Sequence, residues 1–193
     1  GENQSSIDIV NILQDKNFVN EISRICGIKN LISDPSLYAG GLSIMSKNDF
    51  LEPHIDNSHD ASREKFRRLN LLYYSSPNWK NEYGGSLQLW DESVNTKKNI
   101  YAKFNRLVVM ETNKKSWHSV NKVIVDRMRC CVSVYYYSYS SPDNTNYFHV
   151  TSFSSDPKNI FKRKIMKIDN LIRNFLGRWL KLGRGKNLRR KIK

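Results

Sequence analysis

Arg127-Met128-Arg129-Cys130-Cys131-Val132-Ser133-Val134-Tyr135-Tyr136-Tyr137-Ser138 is the stretch on which the reading of this chain turns. Residues 130–138 are β-branched, aromatic or small, hold no glycine or proline, and read as a strand. Side chains two apart share a face, so Arg129, Cys131 and Ser133 fall on one side and Val132 and Val134 on the other. An arginine on the inward side of a strand costs on the order of several kcal/mol unless an anion meets it. Its planar fork suits a carboxylate bidentately. The plainer alternative is an arginine solvated at a strand edge, with Asp126 or Glu111 nearby.

Outward from this strand the texture repeats. Residues 41–45, 69–74, 86–90, 107–111 and 147–152 are short alternating or aliphatic segments. Between them lie Ser75-Ser76-Pro77-Asn78, Gly84-Gly85, 95–99 and 140–146, which read as turns and loops. Strands at this spacing without long intervening helices predict a sandwich or barrel. Both ends are helical. Ile9, Ile12, Leu13, Val19, Ile22, Ile25 and Cys26 recur near a 3.6 period, and Gly27 is a stop. After Ser155, Asp156 is a cap with Pro157 in the first turn. Ile160, Phe161, Ile165, Ile168, Leu171, Ile172, Phe175, Leu176 and Trp179 then mark one apolar face, and Gly183 and Gly185 end the helix.

Composition bounds the function classes. With 193 residues, 39% hydrophobic and 26% charged, the chain is an ordinary globular domain, not a collagenous, mucin-like or disordered one. No apolar run approaches the ~20 residues that span a bilayer. Nothing reads as a secretory signal, and the start at Gly1 is expected of a processed or tagged chain. Three cysteines, two of them adjacent, make a poor disulfide framework, so a reducing, cytoplasmic compartment is expected. The formal charge of +14 is unevenly placed: residues 156–193 hold 14 Lys/Arg against Asp156 and Asp169. The rest is nearly neutral, so no specific nucleic acid is expected, and any contact with anionic surfaces belongs to the C-terminal segment.

Pro53-His54-Ile55-Asp56 is the strongest local signal for chemistry. In an extended segment His54 and Asp56 point to the same side and can bind one ion together. The other histidines are His59, His118 and His149, and His118 follows the strand 107–111 within Lys115-Ser116-Trp117-His118. Two histidines and a carboxylate form the facial triad of non-haem Fe(II) oxygenases, which leaves open positions for co-substrate and dioxygen. A lone His-X-Asp is weak, and a surface histidine beside an acidic turn explains it as well. Arg129, eleven residues beyond His118, is what tips the reading towards a dicarboxylate held between metal and arginine.

The chain resembles the 2-oxoglutarate/Fe(II)-dependent oxygenase superfamily, in the branch similar to prolyl 4-hydroxylase catalytic domains. The resemblance runs through residues 41–138 in the family's order, and the stretches that carry it are these. Phe50-Leu51-Glu52-Pro53-His54-Ile55-Asp56-Asn57, Arg68-Leu69-Asn70-Leu71-Leu72-Tyr73-Tyr74 and Gly84-Gly85-Ser86-Leu87-Gln88-Leu89-Trp90-Asp91 come first. Asn105-Arg106-Leu107-Val108-Val109-Met110-Glu111-Thr112, Ser116-Trp117-His118 and Arg129-Cys130-Cys131-Val132-Ser133-Val134-Tyr135-Tyr136-Tyr137 follow. The resemblance implies a mainly β double-stranded β-helix (jelly roll) with N-terminal helices and a C-terminal amphipathic helix. The residue pattern, rather than the resemblance, divides the chain into residues 1–155 as the oxygenase domain with its N-terminal helical segment, 156–182 as a helix whose apolar face is expected to pack on it, and 183–193 as a basic tail. The resemblance implies Fe(II) on His54, Asp56 and His118, and the distal carboxylate of 2-oxoglutarate on Arg129, with ascorbate as a supporting reductant. The family often has a serine where this chain has Cys131, and one hydrogen bond to that carboxylate is in question there. The expected reaction is hydroxylation of an unactivated C–H bond in a peptidyl or small-molecule substrate.

Several residues carry two readings. Asn70 and Tyr74 share a strand face and are candidates to reach 2-oxoglutarate, as is Tyr38 from the preceding strand; core packing is the plainer account of each. Asn57 either orients Asp56 or makes an Asx turn. Trp90-Asp91 either lines the substrate entrance or sits at the rim. His59 falls in a polar stretch read as a mobile loop near the iron and a possible lid. His149 is expected to be structural. Two other function classes stay open: a non-oxidative metal-binding jelly roll, and a basic module that associates with membranes or polyanions.

Overall fold

The computed structural model describes residues 2–179. The expectations placed on 180–193, including the stop at Gly183 and the basic tail, lie outside the described residues. Helices α1 (Glu2–Gln14) and α2 (Lys16–Cys26) come first. Asp15 separates them by capping the second: its Oδ1 accepts from the amides of Asn17 and Phe18. Gly27, left-handed at φ 65°, ends α2 as the sequence predicts.

Ten strands follow: β1 (Ile32–Ser33), β2 (Gly41–Met45), β3 (Leu51–Ile55), β4 (Phe66–Tyr74), β5 (Leu87–Trp90), β6 (Lys97–Ile100), β7 (Arg106–Glu111), β8 (His118–Val120), β9 (Arg129–Ser138) and β10 (Ser152–Phe153). Helix α3 (Ile160–Trp179) closes the described chain. One sheet runs β1-β9-β4-β7, with β2 also on β9; the other runs β10-β3-β8-β5-β6, and every pairing is antiparallel. From β2 to β9 the chain passes back and forth between the sheets, the β5–β6 hairpin being the exception. This is the expected double-stranded β-helix.

The period-2 alternation sorts side chains into two cores. Leu69, Leu71, Val132, Val134 and Tyr136 point outward from the first sheet and bury against Leu13, Val19 and Ile22 of the leading helices. Fully burying such aliphatic side chains contributes about 1.5–3 kcal/mol each. Tyr74 and Cys131 point between the sheets with Met45, Trp79 and Val123. Ile12 and Ile25, expected in the helical apolar stripe, are instead exposed, because the break at Asp15 turns the two helices independently.

Three sequence expectations are corrected. The loop expected over 95–99 contains most of β6, whose Lys97, Lys98 and Asn99 are exposed. It is an edge strand, and edge strands carry charged side chains that mask their pattern. The strand expected over 147–152 is reduced to β10. Ser58 Oγ accepts from the amide of His149, and Asn174 Oδ1 from that of Val150, so side chains satisfy this backbone.

The third correction concerns α3. Its cap is Asn159, whose Oδ1 accepts from the Lys162 amide; Asp156 closes the preceding turn onto Lys158. Its apolar face does not cover the jelly roll. All nine expected side chains are between 42% and 77% exposed, and the polar face is the one that docks. Asn170 and Asn174 supply hydrogen bonds to the backbone at Phe153 and Val150. Gly177 permits the closest approach, since a Cβ there would lie 2.9 Å from Val150 Cγ1.

Candidate metal centre

His54 lies in β3 and Asp56 just beyond its end, while His118 opens β8 and stands directly opposite His54 in the ladder. The register slips by one residue between Leu51 and His54, so the end of β3 is re-aimed where the cluster forms. His54 Nε2 is 3.7 Å from Asp56 Oδ1, and His118 Nε2 is 3.8 Å from Asp56 Oδ2. One ligand atom from each of the three lies within 4.8 Å of the others, the only such grouping among the described residues.

Both imidazoles are held the same way. His54 Nδ1 meets the Glu52 carbonyl at 2.9 Å, and His118 Nδ1 meets the Ser116 carbonyl at 3.0 Å. A carbonyl can only accept, so each Nδ1 carries the proton and each Nε2 lone pair is free for a metal. Burial, reinforced by the neighbouring His118, pushes His54 down to about 4 and keeps it neutral. For Asp56 burial pulls upward, but His118, Arg67 and His54 together outweigh it and hold the carboxyl below its ordinary range. Two imidazoles, each with its Nε2 turned to the cluster, and one carboxylate match the donor preferences of Fe(II).

Two residues of β4 buttress Asp56. Asn70 Nδ2 is 3.5 Å from Asp56 Oδ2, with Ser133 Oγ donating to Asn70 Oδ1. Asn70, a candidate to reach 2-oxoglutarate with a structural role as the plainer account, lies with its amide against this carboxylate. Arg67 Nη1 is 3.7 Å from the same oxygen, its guanidinium 3.8 Å above the Tyr135 ring, and the residue is only 2% exposed. Sequence reading missed Arg67. Simple alternation from Asn70 puts it on the other face, but a register shift between Arg67 and Leu69 turns it inward.

Arg129 begins β9 and is 3% exposed. Its Nε donates to the Gly85 carbonyl at 3.1 Å, and its guanidinium lies 4.8 Å from the centre of the Tyr74 ring. The approach depends on Gly85, where a Cβ would sit 3.1 Å from Arg129 Cγ. Among the described residues no carboxylate pairs with Arg129, so the solvated-edge alternative with Asp126 or Glu111 does not hold. Among the described residues the buried Tyr74 hydroxyl makes no well-formed hydrogen bond, with the Arg129 guanidinium beside it. A buried cation and a hydroxyl side by side fit an arriving carboxylate. Cys131 is fully buried on the same face, its thiol pushed up to about 11 by burial.

The remaining candidates settle elsewhere. Tyr38 lies in the turn before β2, not on a strand, with its amide on the Asp34 carboxylate. Asn57 donates to the His59 carbonyl, the local-turn alternative. His59 is buried, bonded to Ser58 Oγ and packed on Phe66, so its stretch is pinned rather than a free lid. The Asp60 carboxylate closes that loop on the amides of Glu64 and Lys65. Trp90 donates to Ser119 and lines a cleft of about 300 Å³ with Phe50, Pro53 and Gln88, which includes none of the three ligands or Arg129. Asp91 caps its own turn at Asn95 and Thr96. His149 stacks on Tyr147 and stands outside the cluster.

The chain is similar to known proteins over this same region. It is 31% identical over 116 residues to the prolyl 3-hydroxylase OGFOD1 of Mus musculus, covering 51% of this chain and 21% of that one. The chain thus spans about a fifth of that relative's length. A prolyl 4-hydroxylase structure from Phytophthora capsici superposes with a TM-score of 0.53 at 15% identity, over 88% of this chain and 54% of that one, and shows the shared jelly roll. A prolyl hydroxylase from Trichoplax adhaerens, solved with a hypoxia-inducible-factor peptide, gives 0.47 at 21% identity over 63% and 53%. The 2OG-Fe(II) oxygenase superfamily profile matches residues 40–137, the span that holds His54, Asp56, His118 and Arg129, and with half of its length matched this chain belongs to that superfamily.

Proposed function

We propose that this chain is a hydroxylase dependent on Fe(II) and 2-oxoglutarate, acting on an unactivated C–H bond, with peptidyl proline as the first substrate class to test. The observation that carries the reading is the pairing of two sites across the sheets. A buried His-Asp-His cluster faces inward from one sheet, and a buried arginine that no described carboxylate pairs with faces inward from the other. The substrate class is supported by the prolyl 3-hydroxylase similarity alone.

In this reading His54, Asp56 and His118 hold iron, and Arg129 with Tyr74 receives the distal carboxylate of 2-oxoglutarate. When bound, iron and 2-oxoglutarate would supply the oxidising chemistry with dioxygen as the oxidant, one of its oxygen atoms going to the succinate formed with loss of carbon dioxide and the other to the substrate C–H bond. The protein's part is orientation. The Glu52 and Ser116 carbonyls fix both imidazole tautomers. Arg67 and Asn70 both reach Asp56 Oδ2 and hold the carboxylate beside the two imidazoles. Arg129 supplies the countercharge that a dicarboxylate needs in a dry cavity. The described cysteines are all unpaired, which supports a reducing, cytoplasmic compartment.

The test is succinate release from purified chain with Fe(II), ascorbate and 2-oxoglutarate, with proline-containing peptides and amino-acid or sugar metabolites offered in parallel. A gain of one oxygen on a product by mass spectrometry supports hydroxylation and names the substrate. A chain that binds Fe(II) but releases no succinate under any of these conditions favours a non-oxidative metal protein.

A further inference from the structure

Helix α3 presents an apolar surface that the fold gives no means of burying. Phe161, Ile165, Leu171, Ile172, Phe175 and Trp179 belong to one arc of nine apolar side chains, with Phe161 76% and Trp179 77% exposed. At 1.5 Å per residue the arc runs for about 30 Å. The helix cannot roll to hide it, because the opposite side is fastened at points along its length. Lys162 pairs with Glu52, Asn170 holds Phe153, Asn174 holds Val150, and the Gly177 carbonyl accepts from Arg63 Nη1. The apolar arc is therefore held outward by the same contacts that dock the helix.

Charge says what covers it. Residues 156–193 carry 14 Lys/Arg against two acids, while the rest of the chain is close to neutral. Lys167 and Arg178 border the arc along one edge and Lys164 projects from within it; among the described residues neither lysine pairs with a carboxylate, and Arg178 lies against the Phe148 carbonyl. A second copy docked through this face would bring two strongly basic segments together, which repel. An apolar strip with aromatic side chains and unpaired basic side chains along one edge matches the headgroup boundary of a bilayer with negatively charged lipid. No described helix is long and apolar enough to cross a membrane, so the match is to a helix lying in the plane of the surface.

From these observations we infer that α3 is a membrane-docking element that seats the domain on an anionic lipid surface, its apolar arc inserted and its lysines against the headgroups. The inference does not depend on the enzymatic reading. It also places the jelly roll with β10, and so the β3 end bearing His54, on the side nearest the bilayer.

The full chain is mixed with sonicated vesicles of phosphatidylcholine containing about 30% phosphatidylserine, and with pure phosphatidylcholine vesicles, and binding is read by co-sedimentation. Binding to the anionic vesicles, weakened by salt, is expected. The double variant Ile172→Asp/Phe175→Asp alters only outward side chains and should lower the binding by roughly tenfold or more while melting like the wild type. Trp179 fluorescence should shift to the blue on anionic vesicles, and this shift should vanish in Trp179→Phe. Unchanged binding by the double variant would show a purely electrostatic contact and overturn the inserted helix. Failure of the wild type to bind anionic vesicles at low salt would overturn the proposal outright. So would concentration-dependent dimerisation abolished by the double variant, which would assign the face to a second copy.

Discussion

Asn170 holds Phe153 at both of its backbone polar groups: its Oδ1 accepts from the Phe153 amide at 2.9 Å and its Nδ2 donates to the Phe153 carbonyl at 2.7 Å. The Phe153 ring in turn stacks on His54, with centroids 5.7 Å apart. Helix α3 is thus two contacts from the metal cluster. Asn170→Ala leaves both backbone groups unpaired in a partly buried position, an expected cost of about 1–3 kcal/mol. The melting temperature should fall, and a metal titration should show weaker iron binding. A variant with wild-type melting would show the clamp to be dispensable.

His54→Ala, Asp56→Ala and His118→Ala should each abolish tight iron binding, because two protein ligands remain from three. His149→Ala should keep wild-type iron affinity, since its ring lies outside the cluster. Metal content after dialysis against Fe(II) separates the two outcomes.

Arg129→Ala should leave the metal in place and raise the 2-oxoglutarate concentration needed. Losing one partner of a buried charged pair costs on the order of 2–5 kcal/mol, or about thirtyfold to several-thousandfold in affinity. Arg127→Ala should have little effect: Arg127 is exposed, precedes β9, and reaches the Pro77 carbonyl and the Tyr83 ring rather than the space between the sheets. A larger defect in Arg127→Ala would shift the assignment of the anion site.

Arg67→Met should loosen Asp56 by removing its nearest fixed cation while keeping the volume similar. Breaking one side of a buried pair destabilises by about 3 kcal/mol or more, so iron affinity and melting temperature should both fall. The readout is a thermal melt in the presence and absence of Fe(II), the variant showing the smaller metal-induced rise.

Acid should destabilise the metal-free chain through its buried histidines. Burial pushes His149 down to about 4 from an ordinary 6.5, so the unfolded chain binds the extra proton first as pH falls. Stability from this group is complete above about pH 6.5 and is lost towards pH 4. Melting temperatures of the metal-free chain at pH 7.5 and pH 5 should therefore differ less in His149→Phe than in the wild type.

How much was legible in the sequence follows from which contacts are local. Arg129, Cys131 and Ser133 against Val132 and Val134 is a period-2 pattern, and the two cores sort these residues as alternation requires. The helix end at Gly27 is equally local, whereas the break at Asp15 was hidden by an apolar period that runs on through both helices. Arg67 was invisible because a bulge reverses parity without leaving a mark in composition. β6 was invisible because a polar edge strand is specified by its neighbour's backbone rather than by its own side chains.

The sequence by itself determined that an arginine-bearing strand, a His-X-Asp pair and a downstream histidine sit in an order suited to a jelly roll, and that the C-terminal helix is amphipathic. Only the tertiary structure decided that His118 lies opposite His54 across a ladder, that Arg67 and Asn70 rather than Asn57 back Asp56, and that α3 docks by its polar face. The reason is physical. A pattern of side chains says which faces a segment has, but which face meets the body depends on what the body leaves unsatisfied. Here that was the backbone at Val150 and Phe153, which required hydrogen bonds that Asn170 and Asn174 supply and that leucine or isoleucine cannot.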